Sequence, residues 1–353
     1  ASGHTYPVTA LVPELTHQRQ PHRKDHTTMS EQSLNNPADV LEAIPAGLGF
    51  VPTDSIVAVL LSPAPQAGST MNAAGIVNFP KHLNAMRALT VVTAHSLVAS
   101  QIGAVILAAV WDGPVTDYDR SRLGALEAGF GRHGIPVMRT LHVTTLSEAA
   151  LWADLDSGES GPTHRHQDSL PAARARAKGQ TVADSKAEVA DEYAQVDPPA
   201  PMLAMAEPMS MLLDASEELA QVISSHAAPS EHLVTALGVV ISHSARAHQA
   251  LLALGLDAPE RAAAVWTVAA TRLRNEARTW ALVSAAIFHY LAGNGTRAAA
   301  ALRLADQECA AAGLPTPRLV DALRFELHAP TDADAAREKI LFLLDHLDQL
   351  DRT

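Results

Sequence analysis

Thr53-Asp54-Ser55 stands at the head of the apolar run Ser55 to Leu61 (SIVAVLL), and this is where the chain offers its best-placed chemistry. A turn feeding a buried strand can present polar side chains into a cleft at the sheet's end. Asp54 could act there as a base or accept a ligand hydroxyl, and Ser55 could donate to a phosphate or a carbonyl. The same residue types also bond their own backbone in tight turns. Ser55 lacks the G-x-S-x-G elbow of a nucleophilic serine. There is no G-x-x-x-x-G-K-[ST] phosphate loop, and Gly47-Leu48-Gly49 precedes its strand, whereas a dinucleotide fingerprint follows one. Hydrolase chemistry of that kind and those modes of nucleotide binding are therefore unsupported.

Asp112, Asp117 and Asp119 follow the strand-like run ending at Trp111 and could hold a hard cation at a strand end, although helix capping explains them more simply. His164-Arg165-His166-Gln167-Asp168 has metal-like spacing, but zinc needs a further ligand and Arg165 opposes a cation. A solvated loop accounts for it. His243, Arg246 and His248 spread around a helix and share no catalytic face. Cys309, the single cysteine, reads as a small packing residue, and no disulfide, thiolate metal cage or cofactor is expected. Arg272, Arg274, Arg278 and Arg297 form the one basic concentration of an acidic chain. They could contact an acidic protein partner or a phosphate-bearing ligand, or simply be a solvated helical surface.

The elements that would position these residues begin near Asn36, a good N-cap ahead of Pro37 at the first helical position, with Asp39 and Glu42 complementing the helix dipole. Pro45, Gly47 and Gly49 should end or kink that short helix. A strand at Ser55 to Leu61 and a second at Gly75 to Phe79 suit a hairpin across a polar loop. A helix over His82 to Gln101, a buried strand from Ala104 to Trp111, a helix from Asp117 to Arg132 and a strand from Pro136 to Thr144 follow. This alternation predicts an α/β sheet domain over 36–196. Residues 146–179 read as an irregular excursion anchored by Trp152, with a polar helix near Ala183 to Ala194. The prolines of Asp197-Pro198-Pro199-Ala200-Pro201 mark a linker over 197–208. Beyond it, 209–353 reads as all-helical. The small or apolar residues Ala286, Gly293, Ala298, Leu302 and Ala305 predict one tetratricopeptide-like helix pair there, with an ordinary helical hairpin as the alternative.

The 353 residues carry a formal charge of -12, which works against binding nucleic acid or an anionic membrane surface. Aromatic residues make up only 4%, so tightly packed Ala- and Leu-rich helices are expected. No apolar run approaches the roughly 20 residues of a membrane span. These features and the lone cysteine lead us to expect a cytoplasmic protein. Residues 1–35 are expected to be disordered, with Met29-Ser30-Glu31 resembling a translation start, and the early His4, His17, His22 and His26 are discounted. Arg outnumbering Lys, with abundant Ala and Pro, fits a GC-rich genome, loosely that of an actinobacterium or its phage.

Two blocks give the chain a family resemblance. Leu41 to Val59 (LEAIPAGLGFVPTDSIVAV) and Ala286 to Ala305 (AIFHYLAGNGTRAAAALRLA) together resemble the actinobacterial domain-of-unknown-function family 4192. Where that family's pattern carries Cys-Cys-Pro after a tryptophan, Trp152 here is followed by Gly158-Glu159-Ser160-Gly161-Pro162. Where it carries V-R-D, this chain has Ala245-Arg246-Ala247. The resemblance implies a fold and no activity. The residues themselves favour a non-catalytic interaction or regulatory protein with an unidentified protein partner, self-association remaining open. The alternative is a small-molecule-binding protein or enzyme using Thr53, Asp54, Ser55 and Asp112.

Overall fold

The computed structural model describes residues 36–62, 73–83, 102–177, 179–201, 208–225, 227–327 and 333–346. The expected leading tail, the polar loop after Ser62 and nearly all of the helix expected over 82–101 lie outside them. Helix α1 (Pro37–Leu48) opens as its sequence dictates. Asn36 Oδ1 accepts the Ala38 N–H at 3.1 Å, Pro37 fills the first turn, and Gly49 closes the end at φ 75 with its N–H on the Pro45 carbonyl. The helix runs through Pro45, where a kink or end was expected. The buried stripe of Val40, Leu41, Ile44 and Leu48 holds it against the loss of one backbone hydrogen bond.

Strands β1 (Ser55–Leu61), β2 (Ala73–Pro80), β3 (Ala104–Val110), β4 (Val137–Val143), β5 (Leu151–Asp154) and β6 (Ser160–Pro162) form one mixed sheet in the order β2-β1-β3-β4-β5-β6. Only β3 and β4 are parallel, linked through helix α2 (Asp117–Arg132); the other neighbours are antiparallel. The run SIVAVLL is apolar throughout because both its faces are covered. Val57, Val59 and Leu61 enter a core shared with α1 and the later helices. Ile56, Ala58 and Leu60 enter a second core with Leu123, Leu126 and Phe130 of α2. The segment expected to loop out instead extends the sheet by two strands. Each is too short to show period-two patterning, and Trp152 is pinned because a Cβ on Gly161 would stand 3.1 Å from its ring.

Helices α3 (Leu170–Ala177) and α4 (Lys186–Asp191) follow, then α5 (Pro208–Ser225), α6 (Glu231–His243), α7 (Ala245–Ala253), α8 (Pro259–Arg272), α9 (Asn275–Leu291), α10 (Gly295–Ala312), α11 (Arg318–Leu327) and α12 (Ala333–Asp345). The chain is thus a mixed sheet in its N-terminal half and helical in its C-terminal half. The buried core on the α1 side of the sheet continues without a break into these helices, through Trp266, Leu282 and Phe288 to Leu344. Ser230 and Ser244 cap α6 and α7 by accepting N–H groups of the first turn. Helices α9 and α10 form a hairpin around Gly293, whose φ of 76 makes the tight turn.

Candidate functional site

Because β1 is antiparallel to both neighbours, Ser55 pairs with Pro80 on one side and Val110 on the other. One residue further along, Asp54, Lys81 and Trp111 therefore fall in a single row across three strands at the sheet's end. The Lys81 N–H donates to the Asp54 carbonyl at 2.7 Å, which fixes that row. Asp54 itself sits at φ 45, a left-handed conformation that non-glycine residues seldom adopt. Its carboxylate and that of Asp112 are exposed and have no partner among the described residues.

The adjoining wall is the start of α2. Thr116 and Asp119 form a reciprocal capping box: the Asp119 N–H donates to Thr116 Oγ1 at 3.2 Å, and the Thr116 N–H donates to Asp119 Oδ2 at 3.1 Å. The Thr116 hydroxyl donates to the same carboxylate at 2.8 Å. Burial alone would raise the Asp119 pKa, but these bonds from Thr116 and the nearby Lys81 outweigh it and hold the carboxyl below its usual range. Lys81 Nζ lies 3.6 Å from Asp119 Oδ1 and 4.2 Å from the centre of the Trp111 ring, a cation held between a carboxylate and an aromatic face. His142 of β4 completes the wall, with Nε2 at 3.3 Å from the Trp111 carbonyl and its ring 5.5 Å from the indole. Burial pushes the His142 pKa down, and the charge of Lys81 adds to this, so the ring is neutral near pH 7. A neutral ring donating through Nε2 to that carbonyl keeps Nδ1 as an acceptor. The indole Nε1 of Trp111 is buried with no hydrogen-bond partner among the described residues.

Three carboxylates, one ammonium and one neutral imidazole make a polar, acceptor-rich end to the sheet. Ser55 is not its nucleophile, because its hydroxyl donates to the Thr53 carbonyl at 2.7 Å and braces the turn. Thr53 is exposed and lends that turn its carbonyl. Sequence reasoning thus reaches Asp54 and Asp112, and misses Lys81 and His142. Counting the hairpin register one residue on from Pro80 would have found Lys81; nothing local in the sequence marks His142.

The four arginines do not form one face. Arg278 and Arg297 are buried, 3% and 6% exposed, and their guanidinium groups are engaged inside the fold. Arg278 bonds Glu308 at 2.7 Å, the Tyr193 carbonyl at 2.9 Å and the Ala270 carbonyl. Arg297 grips Glu192 through two bonds and reaches the carbonyl and hydroxyl of Thr181 at 3.0 and 3.1 Å. Arg272 pairs with Glu231 at 3.0 Å, and Arg274 with Asp197 at 3.1 Å while also donating to the carbonyls of Val196, Thr271 and Leu273. Arg278 and Arg297 are thus enclosed by their own chain, while Arg272 and Arg274 keep part of their side chains at the surface. His164 and His166 also part company, the first pairing with Glu42 at 3.0 Å and the second turned into the interior. Among the described residues no group of three or more His, Cys, Asp or Glu could hold a metal. None of the described helices is long and apolar enough to cross a membrane.

No curated protein and no solved structure matched the chain. The profile of one family, described as Domain of unknown function (DUF4192), matches residues 37–314, from the first residue of α1 to just past the end of α10. With most of its length inside that match, the chain belongs to the DUF4192 family.

Proposed function

We propose that this protein is a small-molecule-binding protein whose ligand sits at the sheet end formed by Asp54, Lys81, Trp111, Asp112 and His142. The observation that carries the reading is the row itself. A non-glycine residue held at φ 45 carries an unpartnered carboxylate at the strand position paired with a lysine that stacks on an indole. Backbone strain of this kind costs about 1–3 kcal/mol and persists where the surroundings enforce it, commonly at ligand sites. The unpartnered carboxylates of Asp54 and Asp112 and the Nδ1 of His142 are acceptors, so the ligand is one that presents hydroxyl or amine donors. No activated nucleophile accompanies them among the described residues, so we favour binding over catalysis. An interaction or regulatory role through the arginine face has less support, since those charges are satisfied within the chain. The α9–α10 hairpin is read as a single tetratricopeptide-like unit that packs against its neighbouring helices.

The test compares small molecules retained by the gently purified wild type, Asp54→Asn and Lys81→Met, using mass spectrometry. Asparagine tolerates the left-handed conformation and removes only the charge. A hydroxyl- or amine-bearing compound enriched on the wild type and lost from both variants is the expected result. Equal retention by all three proteins, or nothing retained by the wild type, would overturn the reading.

A further inference from the structure

On the opposite face of the sheet from Trp111, a cavity of about 570 Å³ opens between the end of α1, strand β2 and helices α4, α10 and α11. That volume suits a metabolite-sized ligand. Its charge is unlike that of the rest of this acidic chain. Lys186 of α4 and Arg303 of α10 both line it, both reach solvent, and neither has a carboxylate or other hydrogen-bond partner among the described residues. They also act on one another: desolvation, and after it the charge of Arg303, pushes the Lys186 pKa below its ordinary value. Two cations that repel across a cavity, with no carboxylate among its described lining residues, leave a place for an anion from outside.

One neutral feature agrees with this. Gly295 and Thr296, the first residues of the 18-residue helix α10, line the same cavity, and the N-cap Asn294 supplies no side-chain acceptor to their N–H groups. Arg324, also on the wall, is engaged by Asp306 and Asp321.

We propose that this cavity is an anion site for a small phosphate-bearing molecule, held by Lys186, Arg303 and the first N–H groups of α10. It is a second site, independent of the strand-end row, and its failure would leave that row untouched. Phosphate suits two separated cations and a helix N-terminus together, because its oxygens can accept from all three at once.

The experiment is calorimetric titration of the full chain with inorganic phosphate in buffer of fixed ionic strength, with sodium chloride as the control titrant. The wild type, Lys186→Ala, Arg303→Ala and, as a matched surface control, Arg120→Ala are compared, each first shown to melt cooperatively. Saturable heat for phosphate and none for chloride is expected from the wild type and Arg120→Ala. Each cavity substitution should weaken binding by about tenfold or abolish it. No saturable heat in the wild type, equal heat with chloride, or equal weakening by Arg120→Ala would overturn the proposal. So would unchanged binding in both cavity variants.

Discussion

Arg297 and Arg303 lie on the same helix six residues apart and are handled in opposite ways. Arg297 is buried and carries a carboxylate, a carbonyl and a hydroxyl on its guanidinium. Arg303 looks into a cavity beside a second cation and has no partner among the described residues. The first arrangement is what a structural charge requires, since a buried guanidinium left without partners is costly. The second is arranged for something that arrives later. The contrast separates charges that hold the fold from charges that wait for a ligand, and proximity in sequence does not tell them apart.

The largest expected effect falls on the structural side. Arg297→Ala removes the cation that bonds Glu192 and the Thr181 carbonyl and hydroxyl, and should lower unfolding stability by about 2–3 kcal/mol in denaturant titration. A loss below about 1 kcal/mol would place Arg297 with the surface charges.

Next in size is the acid response of two buried histidines that follow the same logic. His248 lies between Trp266 and Trp280, 2.7 Å from the Ser284 hydroxyl, and His289 lies beside Thr267 and Tyr193. Burial pushes both pKa values down to about 3, and the charge of Arg297 adds to the effect on His289. With folded values below the unfolded one, the unfolded chain binds the extra protons. Stability is therefore full above about pH 6.5 and declines as pH falls from there towards 3. Between pH 6.5 and 5 the loss should reach up to about 2 kcal/mol for each histidine. A pH series of unfolding curves checks this, and His248→Gln should flatten the slope by one proton's share.

Gly49→Ala is expected to cost about 1–2 kcal/mol, because Gly49 sits at φ 75. The added Cβ would also stand 3.3 Å from Arg297 Nη1, so the substitution presses on the structural arginine itself. Its cost should shrink in an Arg297→Ala background, which a double-mutant cycle would measure. The smallest effect belongs to the cavity cations. Without ligand, Lys186→Ala and Arg303→Ala should leave stability within about 0.5 kcal/mol of wild type or raise it, as mutual repulsion is relieved.

What could be read from the sequence was what short-range chemistry decides. The stretch from Asn36 to Leu61 announces its own cap, its proline at the first helical turn, a glycine at the helix end and a buried strand, and each is present. Pro45 misled because tertiary packing of Ile44 and Leu48 overrides a local helix breaker. β5 and β6 were hidden because four and three residues are too few to show a period. The sheet-end row was half legible. Asp54 and Asp112 flank strands, but Lys81 reaches Asp119 only through the hairpin register, and His142 reaches Trp111 only through the parallel pairing of β3 with β4. The arginines were least legible of all. Glu192 and Thr181 lie 105 and 116 residues from Arg297, so a cluster of basic letters said nothing about which would be enclosed.

The separation of structural from ligand-directed charge is tested most directly by thermal unfolding of wild type, Arg297→Ala, Lys186→Ala and Arg303→Ala, each with and without inorganic phosphate. The account predicts a much lower midpoint for Arg297→Ala alone. It also predicts that phosphate raises the midpoint of the wild type and fails to raise those of Lys186→Ala and Arg303→Ala. An unchanged midpoint for Arg297→Ala, or the same phosphate-induced rise in the wild type and both cavity variants, would contradict it.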